Sequence, residues 1–267
     1  MPNTLLIGYG GFGCTCVRNY VADNEVPALL LDVHPPSEEL SMYTDFMELA
    51  SDLKLDESRL RNVLTGYRNI VLVSSLGGES FADAYGVLSN SASTLGISTV
   101  SLCTIPYMFE TERRERALEN LGLLSGDARS MFVLDSQKTI SADGPSSDFM
   151  SRTCDFISDA LDILLPLIEN SPFNSYCSEP LYTFAISESL IPVDAVKDCL
   201  AHPYFDNSRV AGKVIICTGH DMGEIETEQV ESAVTSATGI LPEIISGLDY
   251  GKDRYLLIIP ISFRRNE

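Results

Sequence analysis

The sequence has no tryptophan, only three histidines, and 18 Lys and Arg against 38 Asp and Glu, a formal net charge of −20 over 267 residues. The shortage of cations argues against a nucleic-acid partner, because Lys and Arg supply most of the affinity for a phosphate backbone. It argues equally against adsorption to an anionic membrane surface. No apolar run reaches bilayer-spanning length, and the N-terminus lacks the basic, apolar and small-residue regions of a signal peptide. A cytoplasmic protein without direct membrane insertion is expected. The seven cysteines, at 14, 16, 103, 154, 177, 199 and 217, are an odd number scattered through predicted strands and helices. That is the pattern of small reduced core residues. Cys14 and Cys16 form a C-x-C with no second cluster at ligand spacing, and His34, His202 and His220 lie far apart, so no metal site is expected. The acidic surplus is read as solubility, with no positive inference about a partner.

What the sequence does have is glycine in two places where turns matter. "LLIGYGGFGCTCV", residues 5 to 17, reads as a buried strand, a glycine-rich turn and the start of a helix. Gly8, Gly10 and Gly13 have the spacing of a dinucleotide-binding turn, where backbone N–H groups approach a pyrophosphate. A second apolar strand, "PALLLD", ends at Asp32, where such folds place the acid that holds a ribose hydroxyl. One reading is therefore an NAD-dependent oxidoreductase; another is that the glycines only make a tight turn. Of the histidines only His34 and His220 stand near a predicted strand C-terminus, His220 in a position typical of a turn, and no catalytic residue is assigned. "NIVLVSS" is a further buried strand, and it runs into the second glycine turn, "LGGESFADAYGVL", carrying Gly77, Gly78 and Ser80.

The remaining pattern alternates strand and helix. "STVSLCTIPY", "SMFVLD", "LYTFAIS", "GKVIICTG", "EIISGLDY" and "RYLLIIPISF" read as strands. Between them lie the helical patterns "ETERRERALENLGLL", "VDAVKDCLAHPYF" and "ETEQVESAVTSATG". The stretch from His34 to Leu64 reads as a loop and one or two helices. The longest helical pattern runs from Ser146 to Asn170, with Pro166 expected to kink or end it. The first half has the alternation of an α/β, doubly wound parallel sheet, and the last third that of a smaller α+β unit.

Several segments in this order resemble the FtsZ/tubulin family. "GYGGFGCTCV" looks like its opening glycine loop, with Phe12 and Cys14 in place of glycines and Thr15 in place of Asn. "SSLGGESFADAYGVL" falls where the family has G-G-G-T-G-T-G. "TIPYMFETERRERALENLGLL" is similar to T-x-P-F-x-F-E-G-x-x-R, with Glu110 and Arg114 on its Glu and Arg. "HPYF" and "AGKVIICTGHD" resemble the second domain. The resemblance implies a Rossmann-like nucleotide domain over 1–147, a central helix and shortened linker over 148–177, and an α+β domain over 178–267. It implies GTP or GDP as ligand, with Mg²⁺ only alongside nucleotide. It also implies self-association as a dimer or filament, and protein partners.

On the same resemblance, Gly8, Gly10, Gly11, Gly13, Thr15, Gly77, Gly78 and Ser80 form the phosphate loops. Glu110 and Arg114 touch ribose and nucleotide, Ser136 stands where FtsZ has an Asn near the base, and Asp155 accepts from the guanine. Asp32 is retained from the ribose reading. Glu79, Phe81 and Asp83 occupy glycine positions of the signature loop, and carboxylates there repel a triphosphate unless they point away or a cation intervenes. Met150 stands where an aromatic ring would stack on the base. The family's catalytic segment resembles N-x-D-F-A-D, and here it reads "ENSPFNSYCSEP", with no Asp between Ile168 and Asp194. The expectation is a binding, assembly or regulatory protein rather than an efficient GTPase.

Overall fold

The computed structural model describes residues 3–37, 39–49, 55–124, 130–138, 149–170, 179–203, 210, 212–248 and 254–261. Its first half is built of β1 (Thr4–Tyr9), α1 (Gly10–Asp23), β2 (Ala28–Asp32), β3 (Thr44–Glu48), α2 (Glu57–Leu64), β4 (Asn69–Ser75), α3 (Phe81–Thr94), β5 (Ser98–Ile105), α4 (Thr111–Leu124) and β6 (Met131–Asp135). Then come α5 (Phe149–Asn170), β7 (Leu181–Ser187), α6 (Pro192–Ala201), β8 (Ile215–Thr218), α7 (Glu224–Thr238), β9 (Glu243–Ile245) and β10 (Tyr255–Pro260).

These strands form one sheet in the order β3-β2-β1-β4-β5-β6-β7-β10-β8-β9. Pairing is parallel from β3 to β7, and antiparallel only where β10 lies between β7 and β8. The sheet passes across the expected junction of the two halves, since β6 pairs with β7 at Met131↔Leu181 and Phe132↔Tyr182. Strands such as β1 and β10 are buried along their whole length, which is why they read as unbroken apolar runs. Alternate residues of β1 serve different layers: Leu6 packs with α1 and α5, whereas Leu5, Ile7 and Tyr9 pack with α2 and α3.

The structure corrects three expectations. Thr44–Glu48 is a strand, not loop or helix; it lies at the end of the sheet, where only Thr44 and Met47 are buried, so its polar residues hide the strand pattern. Of the two outcomes expected at Pro166, an end is excluded, since α5 continues to Asn170. Proline there removes only one backbone donor, and the helix keeps its place because Ile163, Leu164, Leu165, Leu167 and Ile168 on either side are buried in the core. The "EIISGLDY" strand is confined to Glu243–Ile245. The segment "ENSPFNSYCSEP" falls mostly outside the described residues, as do Cys177 and the expected domain limits at 147 and 177.

Candidate functional site

The strand order reverses between β1 and β4, where β1 connects outward to β2 and β4 to β5. Crevices at the carboxyl ends of strands beside such a reversal are where α/β sheets bind ligands. Both glycine turns end there. The first is fixed by backbone geometry: Gly10 has φ +68°, a left-handed conformation that lets the chain leave β1 and enter α1 at once. A Cβ on Gly13 would lie 2.1 Å from the Val73 carbonyl oxygen, so α1 rests directly on the β4 backbone. Nothing lies within 4 Å of a Cβ at Gly10, whose face is open.

The second turn follows β4. Gly77 sits against the first turn of α4, where a Cβ would meet the Arg113 carbonyl at 2.6 Å and Pro106 at 2.7 Å. Asn120 Nδ2 donates to the Leu76 carbonyl at 2.8 Å and Arg116 Nη1 to the Gly77 carbonyl at 3.2 Å, so α4 holds this loop from behind. Ser80 precedes α3, and its hydroxyl lies 2.6 Å from Tyr9 Oη. Tyr9 packs edge-on to Phe81 at 6.3 Å. Burial is the main cause that raises the Tyr9 pKa, with the charges of Asp32 and Asp83 adding and the Ser80 bond opposing.

The substituted glycine positions thus take three different fates. Phe81 is rooted in the core, Glu79 is exposed and lies 3.9 Å from Arg116, and Asp83 is exposed in the first turn of α3. Glu79 is therefore drawn toward a cation behind the loop.

On the β2 side, Asp32 Oδ1 accepts from the Val33 amide at 2.7 Å, and Thr15 donates to the Gly11 carbonyl at 2.7 Å. Gly11, Thr15 and Asp32 line one cleft of about 140 Å³ together with Cys14, Arg18 and His34. Burial, and next the charge of Asp32, push the Cys14 thiol up to about 12, so it stays protonated and is no nucleophile at neutral pH.

On the β6 side, Arg114 makes two parallel bonds of 2.7 Å to Asp135 and a third, of 2.6 Å, to the Pro106 carbonyl. Glu110 is paired with Arg113 and accepts from the Tyr107 amide at 3.4 Å. Ser136 is buried, its amide donating to Ile105 O at 3.0 Å. Asp155 is exposed on α5, close enough to α1 for its charge to act on Cys16. Met150 is exposed one turn earlier on the same helix.

The fold therefore gathers the expected residues at one end of the sheet, in three groups rather than one. Gly11, Thr15 and Asp32 lie on the β2 side; Gly77, Gly78 and Ser80 lie over β4, tied to β1 by Tyr9; Glu110, Arg114 and Ser136 lie over β5 and β6. Sequence reasoning missed Tyr9, Asp135 and Arg116. Asp135 carried a usable signal, an acid at the carboxyl end of a buried strand, as Asp32 did. Tyr9 carried none beyond standing within the glycine motif. Among the described residues, no group of three or more His, Cys, Asp or Glu is placed to hold a metal ion, and no helix is long and apolar enough to cross a membrane.

No family model matches the chain. Curated relatives are cell division proteins FtsZ. That of Neisseria gonorrhoeae is 22% identical over 158 residues, 52% of this chain and 40% of the relative, and that of Azotobacter vinelandii 29% identical over 97 residues, 36% of this chain and 25% of the relative. The chain thus spans less than half the length of the curated relatives it matches. Solved structures match almost end to end. An FtsZ mutant from M. jannaschii has a TM-score of 0.79 at 16% identity, covering 96% of this chain and 90% of that one. CetZ2 from Haloferax volcanii, in a GTPγS-bound protofilament, has a TM-score of 0.76 at 16% identity, covering 99% and 94%. TubZ of the Clostridium botulinum phage c-st has a TM-score of 0.65 at 11% identity, covering 98% and 93%. Along nearly its whole length the chain thus has the fold of these FtsZ, CetZ and TubZ structures, and over part of it the sequence is similar to FtsZ.

Proposed function

We propose that this protein is a cytoskeletal assembly or regulatory protein that binds a guanine nucleotide at the reversal between β1 and β4 and does not hydrolyse it efficiently. The observation that carries the reading is the meeting of two glycine turns, at Gly10 and Gly78, over adjacent parallel strands, each leading into a helix of 14 residues. Helix starts of this kind offer unpaired N–H groups and a positive dipole end to phosphate. The residues fit the ligand: the Gly10 face is open, Glu79 leans toward Arg116, and the Ser80 hydroxyl is held at the start of α3 by its hydrogen bond with Tyr9. Asp155, exposed on α5, supplies an acceptor for the paired N–H donors of a guanine.

Weak hydrolysis rests on the sequence. Activating water for attack on a phosphate needs a carboxylate held beside it. The stretch from Glu169 to Ser189 carries Glu169, Glu179 and Glu188 but no Asp. Glu188 lies 2.9 Å from Arg254, and Glu169 is exposed at the end of α5. Self-association, as in the FtsZ dimer and the CetZ2 protofilament, is part of the proposal.

Titration calorimetry of nucleotide-stripped protein with GDP, GTP and ATP in Mg²⁺ tests this. Guanine nucleotides should bind in preference to ATP, and Asp155→Ala should weaken them about tenfold, the worth of a hydrogen bond to a charged group. Absence of guanine binding would overturn the site assignment. Phosphate release that rises steeply with protein concentration would overturn the claim of weak hydrolysis.

A further inference from the structure

The last third of the chain presents two unlike ends. β7 and β8 stop level with each other, since Ser187 and Thr218 both stand opposite Tyr255, the first residue of β10. Two strand spacings put the loops that follow roughly 10 Å apart. Those loops lead into α6 and α7, which pack on each other around Val196, Cys199, Val230 and Val234. The starts of both helices therefore lie side by side at this end.

Aliphatic side chains stand in solvent there. Leu190 is 73% exposed, Ile191 56% and Ile225 72%. Ile191 is fixed in place by its backbone, its amide donating to Ser189 Oγ at 3.4 Å and its carbonyl accepting from the Asp194 and Ala195 amides at 3.0 and 2.9 Å. Single exposed aliphatics are ordinary, but three at one pair of helix starts make a patch that suits a partner. Its rim is acidic, with Asp221 and Glu224 exposed. Lys197 on α6 is drawn to Asp194 at 3.5 Å, which leaves the rim negative.

The opposite end of the same strands differs. β10 runs against β7 and β8, so its last residues emerge where β7 begins: Pro260 stands opposite Tyr182, and the Ile261 amide donates to the Leu181 carbonyl at 3.0 Å. The residues that follow, 262–267, read "SFRRNE", an aromatic side chain and two arginines in a chain short of cations. Their chemistry complements an aliphatic patch with an acidic rim. They do not reach the patch of their own molecule. The six residues of β10 separate the two ends by about 20 Å. Arg265, four residues past Ile261, extends at most about 14 Å.

We propose that segment 262–267 of one copy docks on the helix-start patch of the next, with Phe263 against Leu190, Ile191 and Ile225 and the two arginines toward Asp221 and Glu224. The two surfaces lie at opposite ends of one molecule, so the contact is heterologous and each added copy offers a fresh patch. The inference rests on the self-association already proposed and gives it a surface. Guanine binding takes no part in it.

Sedimentation velocity of the full chain, with and without GDP, tests this. The wild type should self-associate, and less so as NaCl rises from about 0.1 to about 1 M, because salt screens exposed charges. Arg264→Glu/Arg265→Glu should weaken association about tenfold or more, and so should Ile191→Asp/Ile225→Asp. Each double variant keeps one intact surface, so a mixture of the two should form dimers that grow no further. Thermal melts check that both fold. A synthetic peptide of residues 262–267, which needs no variant to fold, should dissociate the wild-type oligomer at millimolar concentration. A monomeric wild type would overturn self-association and this contact together. A wild type that associates but ignores the peptide and both double variants, or a mixture that associates no better than its components, would overturn the contact and leave self-association standing.

Discussion

Tyr9 Oη lies 2.6 Å from Ser80 Oγ, joining the last residue of β1 to the second glycine turn. This contact ties the two glycine turns together, although 71 residues separate them. Replacing Tyr9 by Phe keeps the ring against Phe81 and removes only the hydroxyl. The expected cost is about 1 kcal/mol of stability, the net worth of one hydrogen bond. Guanine affinity should fall several-fold as Ser80 loses its anchor. Urea unfolding and GDP titration of the variant check the two effects separately.

Two glycines in regular helix predict opposite outcomes for one substitution. Gly13→Ala drives a Cβ to within 2.1 Å of the Val73 carbonyl, which α1 meets only by moving off β4. The cost should be about 3 kcal/mol or more, at the upper end of overpacking. Gly86→Ala puts a methyl into open space on the exposed face of α3. It should stabilise by about 0.5–1 kcal/mol, because alanine loses less backbone freedom in a helix. Chemical denaturation of the pair decides the point.

Arg254 is buried with three carboxylates around it: Asp159 at 2.6 Å, Asp162 at 3.4 Å and Glu188 at 2.9 Å. It ties α5 to the residues following β7 and preceding β10. Arg254→Met leaves these anions facing one another without a cation. The loss should be about 2–3 kcal/mol, below the full cost of breaking a buried pair because Asp159 and Glu188 reach solvent. Arg61→Ala, at the exposed pair with Glu57, should cost no more than about 0.5 kcal/mol. Thermal melts of both variants under identical salt measure the difference.

His202 stacks on Phe156 at 5.4 Å, and burial, with Lys138 contributing, lowers its pKa from 6.5. The unfolded chain therefore takes up this proton first. Stability is complete above pH 6.5 and declines on acidification until the folded imidazole is protonated as well. His202→Gln should flatten this part of the stability profile and leave the neutral plateau with only the change in ring packing. Urea midpoints between pH 7.5 and about 5 test the sign.

Much of this arrangement was legible in the residues. Buried parallel strands such as β1 and β4 are apolar on both faces, so "LLIG" and "NIVLVSS" announce themselves. β3 did not, because a strand at the sheet's end keeps polar residues outward, and "TDFME" then looks like loop. The glycine turns were legible because Gly10 demands a conformation other residues avoid. Asp135 was legible as an acid at a strand end, but its role and that of Arg116 were not, since each comes from a partner on another element: Arg114 in the first case, the Gly77 carbonyl and Glu79 in the second.

The sequence by itself determined the alternation of strands and helices, the two glycine turns and the acids at strand ends, because these follow from local backbone preference and from which residues must leave water. Only the tertiary structure decided that Tyr9 anchors Ser80, that Glu79 is drawn toward Arg116, and that Asp32 and Arg18 line one groove. Those relations depend on side-chain directions and on distances between segments far apart in the chain, which are fixed only when the sheet is assembled.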